Sequence, residues 1–232
     1  MRIIKLFDDF LSLLYPRICF ACGNALYRNE EVICTFCRFR LPKTNFHLHH
    51  NNPLEQVFWG RISIERAYAL YYYTKQGKVQ KLLHQFKYCN HPEIGRFLGK
   101  MYGYELKRTL PEPIPELIIP VPLHPKKQRK RGYNQSEQFA IGLSQGLQIQ
   151  LNTRLLIRTK ASETQTRKSR FSRWENVKEI FHVNDPESLS NTHILLTDDI
   201  ITTGATIEAC AALLLQIPGV KLSVVSIACT MR

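Results

Sequence analysis

The periodic signals are strongest in the middle of the chain and near its end. Val79, Leu82, Leu83 and Phe86 recur at three- and four-residue spacing, one apolar stripe on a helix over 79–86, and 94–106 repeats the helical period. Residues 64–74 are rich in tyrosine and aliphatic side chains, as a strand is. Pro111, Pro113 and Pro115 mark a loop, after which Leu117, Ile118 and Ile119 form a short continuous apolar run of the kind found in buried parallel strands. A helix follows over 136–147. The run 193–196 predicts another buried strand, and 205–217 returns to helical spacing. At the N-terminus Phe7, Phe10, Leu11 and Leu14 share one face of a short amphipathic helix. By contrast, 158–177 is polar, basic and without period, and a loop of that length is expected to be functional. The whole reads as mixed α/β.

Length and charge sharpen this. The 232 residues suit one core domain plus an appendage, and 44% hydrophobic with 22% charged residues is the composition of a globular protein. The net charge of +13 is unusual and uneven. Cations far outnumber acids in 121–180, whereas acids outnumber cations in 181–232. Such a basic middle third attracts a diphosphate or a nucleic acid. No run approaches the roughly 18 to 20 apolar residues that span a bilayer. Asp8 and Asp9 break the N-terminal apolar run, so it does not read as a secretory leader. A cytoplasmic protein without membrane insertion is expected.

Cys19-x2-Cys22 and Cys34-x2-Cys37 place two pairs of thiols on tight knuckles, the donor set of a closed structural zinc site. Two disulfides are the oxidised alternative, and a redox pair would need one motif only. Cys89, Cys210 and Cys229 are isolated and are expected to be buried as small hydrophobes. His47, His49 and His50 are expected in a polar loop.

After the apolar run 193–196 come Asp198 and Asp199, a turn of hydroxyls and glycine, and a helix. Backbone amides at a helix start hold phosphate, while paired acids suit sugar hydroxyls or a metal. Neither a P-loop nor a G-x-G-x-x-G motif is present. Asp198-Asp199-x-x-Thr202-Thr203-Gly204-Ala205-Thr206 resembles the phosphoribosyl-diphosphate (PRPP) loop of type I phosphoribosyltransferases. That resemblance implies that Asp198 and Asp199 take the ribose hydroxyls and that Thr202, Thr203, Gly204, Ala205 and Thr206 wrap the 5′-phosphate. Thr197 departs from the aliphatic residue usual there. The implied fold is a parallel sheet flanked by helices, with the N-terminal zinc-finger module appended.

Between the run 117–119 and the helix 136–147 lie stiff prolines and five cations within six residues, 126–131. Lys126, Lys130 and Arg131 are expected to engage pyrophosphate, with a basic loop or a nucleic-acid patch as the plainer alternative. Arg167, Arg170 and Arg173 would act from a lid over 158–177, where Phe171 or Trp174 could stack on an acceptor base. Mg²⁺ is expected with the PRPP oxygens.

The double Cys-x2-Cys, Pro120-Val121-Pro122-Leu123-His124-Pro125, Arg131-Gly132-Tyr133-Asn134-Gln135, Thr164-Gln165 ahead of Arg173 and Asn176, and the acid-threonine loop resemble, in that order, the ComF family of competence proteins and GntX-type relatives. The resemblance implies a zinc module in 1–50 and a phosphoribosyltransferase domain in 51–232. It also implies a link to natural transformation, in which family members act with the helicase-like ComFA during uptake of single-stranded DNA. A non-catalytic alternative keeps the fold and uses the basic middle third, with Tyr133 or Trp174 stacking, to bind single-stranded DNA and a helicase-like partner. No helix-turn-helix segment favours a PRPP-sensing regulator.

Overall fold

The computed structural model describes residues 15–109, 113–159 and 180–230. Strands β1 (Arg66–Tyr72), β2 (Leu117–Pro120), β3 (Gln150–Leu151), β6 (His193–Ile201) and β7 (Lys221–Cys229) pair in parallel, in the order β1-β7-β6-β2-β3. Between them in sequence, β4 (Leu156–Arg158) and β5 (Phe181–Val183) make a separate antiparallel pair. The apolar runs explain this layering, because alternate residues of β6 are buried on opposite faces: Leu195 on one, Ile194 and Leu196 on the other. Helices α3 (Lys78–Tyr88), α4 (Pro92–Lys107) and α6 (Gln135–Leu147) cover the Leu195 face. Helix α7 (Ala205–Leu214) covers the other, together with Leu54 of the short helix α2 (Pro53–Gln56) and Phe58. The expected α/β class, a parallel sheet flanked by helices, is the observed one. Among the described residues no helix is long and apolar enough to cross a membrane.

Several boundaries differ from expectation for physical reasons. β6 runs on past the expected 193–196, through Asp198 and Asp199 to Ile201, so the acids lie within the strand. Pairing with β7 continues past them, Asp198 opposite Ser226 and Ile200 opposite Ala228. The cationic stretch is also no loop. It forms helix α5 (Pro125–Arg131), started by Pro125 and the His124 side chain and stopped by Gly132 in the left-handed region. None of its residues is buried. Cys210 and Cys229 are buried as expected, but Cys89 is exposed just past the end of α3. His47 is buried against Tyr102 and Glu105, not in a polar loop. The amphipathic helix read at Phe7 to Leu14 and the lid cations Arg167, Arg170 and Arg173, with Phe171 and Trp174, lie outside the described residues.

The cysteine module packs into the same apolar cluster as α3. Cys19, Val32, Ile33, Cys37 and Leu41 share it with Val79, Leu82, Leu83 and Phe86. Here Cys34 caps helix α1 (Thr35–Arg40) and Gly23 closes the first knuckle in the left-handed region. The four cysteine sulfurs lie within 4.8 Å of one another, Cys22 and Cys34 at 3.7 Å. A tetrahedral zinc with about 2.3 Å bonds separates its sulfurs by about 3.8 Å, so the thiols fit that ion. The amide of Cys34 donates to Cys19 Sγ, as partners around a metal site do. Beyond the module, the Thr44 amide donates to the Leu70 carbonyl and the Tyr72 amide to the Pro42 carbonyl. Residues 42–44 thereby cover the outer edge of β1.

Helices α4 and α6 approach most closely at glycines. A Cβ on Gly99 would strike the Phe139 carbonyl oxygen, and one on Gly142 the Arg96 carbonyl oxygen. One on Gly146 would lie 2.6 Å from the Lys100 carbonyl oxygen and 2.8 Å from Gly103 Cα. The missing side chains let the two backbones meet.

Candidate active site

The sheet places the site. From β2 the chain crosses through α6 on one face to β3, and from β6 it crosses through α7 on the opposite face to β7. The crossovers diverge between β2 and β6, and the carboxyl ends of strands at such a divergence form a crevice where ligands bind. Asp198 and Asp199 stand at that end of β6, and Val121, just past β2, is tied there by its amide to the Thr197 carbonyl at 2.9 Å.

Each acid has its own partner. Ser136, in the first turn of α6, donates its hydroxyl to Asp198 Oδ1 at 2.8 Å, and the Asp199 amide donates to the same oxygen at 2.8 Å. Lys87, in the last turn of α3, donates to Asp199 Oδ1 at 2.9 Å. Ser136 is delivered by Asn134, which caps α6 and donates to the Val121 carbonyl at 3.0 Å, closing the connection that carries α5.

Burial, and then the adjacent Asp199 carboxylate, push Asp198 up to about 7; the Ser136 hydroxyl and the Lys87 ammonium pull the other way without prevailing. A carboxyl whose folded value lies above its ordinary one stabilises the fold fully at low pH and loses that contribution as pH rises through the folded value. For Asp198 the window runs from 3.8 to about 7. In calorimetric scans of the unliganded protein, Asp198→Asn should therefore gain several degrees on the wild type across that window. Parallel curves would show that this carboxyl titrates normally.

The loop after β6 turns at Gly204, whose φ of 76° lies in the left-handed region, and α7 begins with the next residue. Any Cβ there would also meet Phe58 Cε1 at 2.7 Å. Phe58 is held beneath the loop because Asn52 caps α2 and Glu55 pairs with Arg66 Nε of β1 at 2.9 Å. Arg61 clasps the loop from outside, donating to the Thr203 carbonyl at 2.9 Å and pairing with Glu208 of α7. Thr202, Thr203, Ala205 and Thr206 are exposed, so hydroxyls and the helix start face solvent beside the acids.

The expected pyrophosphate cations divide. Lys126 and Lys130 are exposed on α5, while Arg131 is half-buried, bonded to Gln135 Oε1 at 2.9 Å and set 5.5 Å from the Tyr88 ring centre. The structure adds Lys87, Ser136 and Arg61, none of which the motif reading contains. For Ser136 a signal exists in the sequence, since Asn134 two residues earlier is a helix cap. For Lys87 and Arg61 nothing local marks them, because their partners lie 112 and 147 residues away.

No family model matches the chain. Among curated proteins it is 31% identical over 210 residues to DNA utilization protein YhgH of Escherichia coli K12, across 89% of this chain and 87% of that one. It is 32% identical over 207 residues to competence protein F of Haemophilus influenzae, across 84% and 90%. Among solved structures it is similar to glutamine PRPP amidotransferase from B. subtilis, with a TM-score of 0.41 and 16% identity, over 61% of this chain and 30% of that enzyme. The chain thus spans less than a third of the amidotransferase.

Proposed function

Because the chain belongs to the ComF family, we propose that it binds PRPP where β6 meets α7 and transfers the phosphoribosyl group to a nitrogen acceptor, as a cytoplasmic factor in competence or DNA utilization. One observation carries the reading. A single strand and the turn after it set two carboxylates and an exposed, glycine-started helix N-terminus side by side at the crevice of a parallel sheet.

Carboxylates accept hydrogen bonds from neutral hydroxyls, so Asp198 and Asp199 would hold the ribose diol. The hydroxyls of Thr202, Thr203 and Thr206, with the amides opening α7, would take the 5′-phosphate, and Gly204 allows its close approach. The bond from C1 to the pyrophosphate oxygen breaks, that oxygen keeps the electron pair, and the nitrogen lone pair forms the new bond to C1. Lys126, Lys130 and Arg131 would neutralise the departing group, and Arg167, Arg170 and Arg173 would close over it. Ser136 and Lys87 engage one oxygen of each acid, and Mg²⁺ arriving with PRPP would offset the negative charge of the diphosphate.

A thermal-shift titration of PRPP with Mg²⁺ tests this. A ligand at a hundred times its dissociation constant adds about 2.7 kcal/mol to stability, so the wild-type melting temperature should rise by several degrees. Asp199→Asn should show a clearly smaller rise, and an unmoved wild type would refute PRPP binding. The exposed cations of α5 favour a second reading, single-stranded DNA with a helicase-like partner. DNA binding would weaken steeply with salt and survive Asp199→Asn.

A further inference from the structure

Lys87 follows the apolar stripe of α3 and belongs to no phosphate motif. A lysine in the last turn of a helix ordinarily extends into water, where it still complements the helix dipole. This one turns inward. Its side chain is 17% exposed and that of Asp199 11%, with 2.9 Å between ammonium and carboxylate. Taking both ions out of water opposes their attraction, so a pair kept at this depth is a weak device for stability alone.

The turn carrying Lys87 is fixed at the two residues beside it. The Tyr133 hydroxyl donates to the Phe86 carbonyl and Arg131 lies over the Tyr88 ring, while Phe20 of the cysteine module packs on His91, the cap of α4, with ring centres 4.4 Å apart. Tyr133 and Arg131 belong to the connection that also delivers Ser136 to Asp198. The two adjacent acids are thus held by two different helices, one partner each.

We propose that Lys87 is a positioning residue of the sugar-diphosphate site, holding the Asp199 carboxylate in the orientation that accepts the ribose hydroxyls and offsetting the charge the acid pair presents to an anionic substrate. This role rests on the PRPP reading above and adds to it a residue from α3.

Calorimetric titration of PRPP with Mg²⁺ into wild type, Lys87→Met, Lys87→Arg, Asp199→Asn and the Lys87→Met/Asp199→Asn double variant tests it. Lys87→Met should weaken binding about tenfold, and adding it to Asp199→Asn should cost little more, because coupled residues do not add. Lys87→Arg should restore affinity to within about threefold, since it keeps the charge. Lys87→Gln replaces Lys87→Met if the methionine variant fails to fold. Wild-type binding with unchanged affinity in Lys87→Met, or penalties that multiply in the double variant, would overturn this proposal and leave the PRPP reading intact. A wild type that takes up no PRPP would remove that reading and this role together.

Discussion

Gly142→Ala should destabilise the protein severely, although alanine is the better helix former. In an exposed helix this exchange gains about 1 kcal/mol. Here the new methyl would collide with the Arg96 carbonyl oxygen and come within 2.7 Å of the Lys100 amide nitrogen. Both are main-chain atoms of α4, already committed to its helical bonds, so no rotamer change relieves the clash. Overpacked cores lose about 1–3 kcal/mol when side chains can shift. With backbone on both sides a loss of ~3 kcal/mol or more is expected, a large part of a typical total of about 5–15 kcal/mol. Urea denaturation decides by sign: a variant at least as stable as the wild type would mean that α4 and α6 are not in backbone contact. The loss should reach the site as well, because forcing α6 away from α4 also moves Ser136 relative to Asp198.

Removing the metal-binding capacity of the cysteine module should have an effect at least as large. Structural zinc contributes about 10–16 kcal/mol to the folding of isolated zinc-finger peptides at neutral pH. Cys37 is fully buried, and its module shares one apolar cluster with α3. Chelation, or Cys37→Ser, should therefore lower the melting temperature of the whole protein in one cooperative transition. Two separate transitions, with the sheet melting at its original temperature, would mean that the module contributes nothing to the α3 face.

Elements with uniform local chemistry were legible in the residues. The stripe Val79, Leu82, Leu83, Phe86 and the run Leu117 to Ile119 announce α3 and β2 because burial on one face, or on both, leaves a mark at short range. The strand reads as ending before the acids because carboxylates are rare inside buried strands, and in β6 each is met by a partner, a hydroxyl on α6 and an ammonium on α3. Those partners are distant in sequence, so local pattern cannot supply them. The basic stretch has no apolar stripe and so reads as a loop. Yet Pro125 at its start and Gly132 at its end carry helix-boundary information that charge obscured. The glycines tell a similar story: Gly95, Gly99 and Gly103, like Gly142 and Gly146, recur every four residues, a spacing that places small residues on one helical face. Of the candidate site, the motif points to the loop, and the geometry shows what braces its surroundings, Phe58 and Arg61 at the loop itself and Lys87 at the Asp199 carboxylate.

The strip formed by Pro42 to Thr44 has a consequence for assembly. It occupies the free rim of β1, and at the opposite rim β3 offers a mere two residues. Among the described residues neither margin presents a long unpaired ladder on which a foreign strand could dock, so the five-stranded sheet is closed to growth by strand addition. Self-association of this protein should accordingly avoid the two margins of the five-stranded sheet.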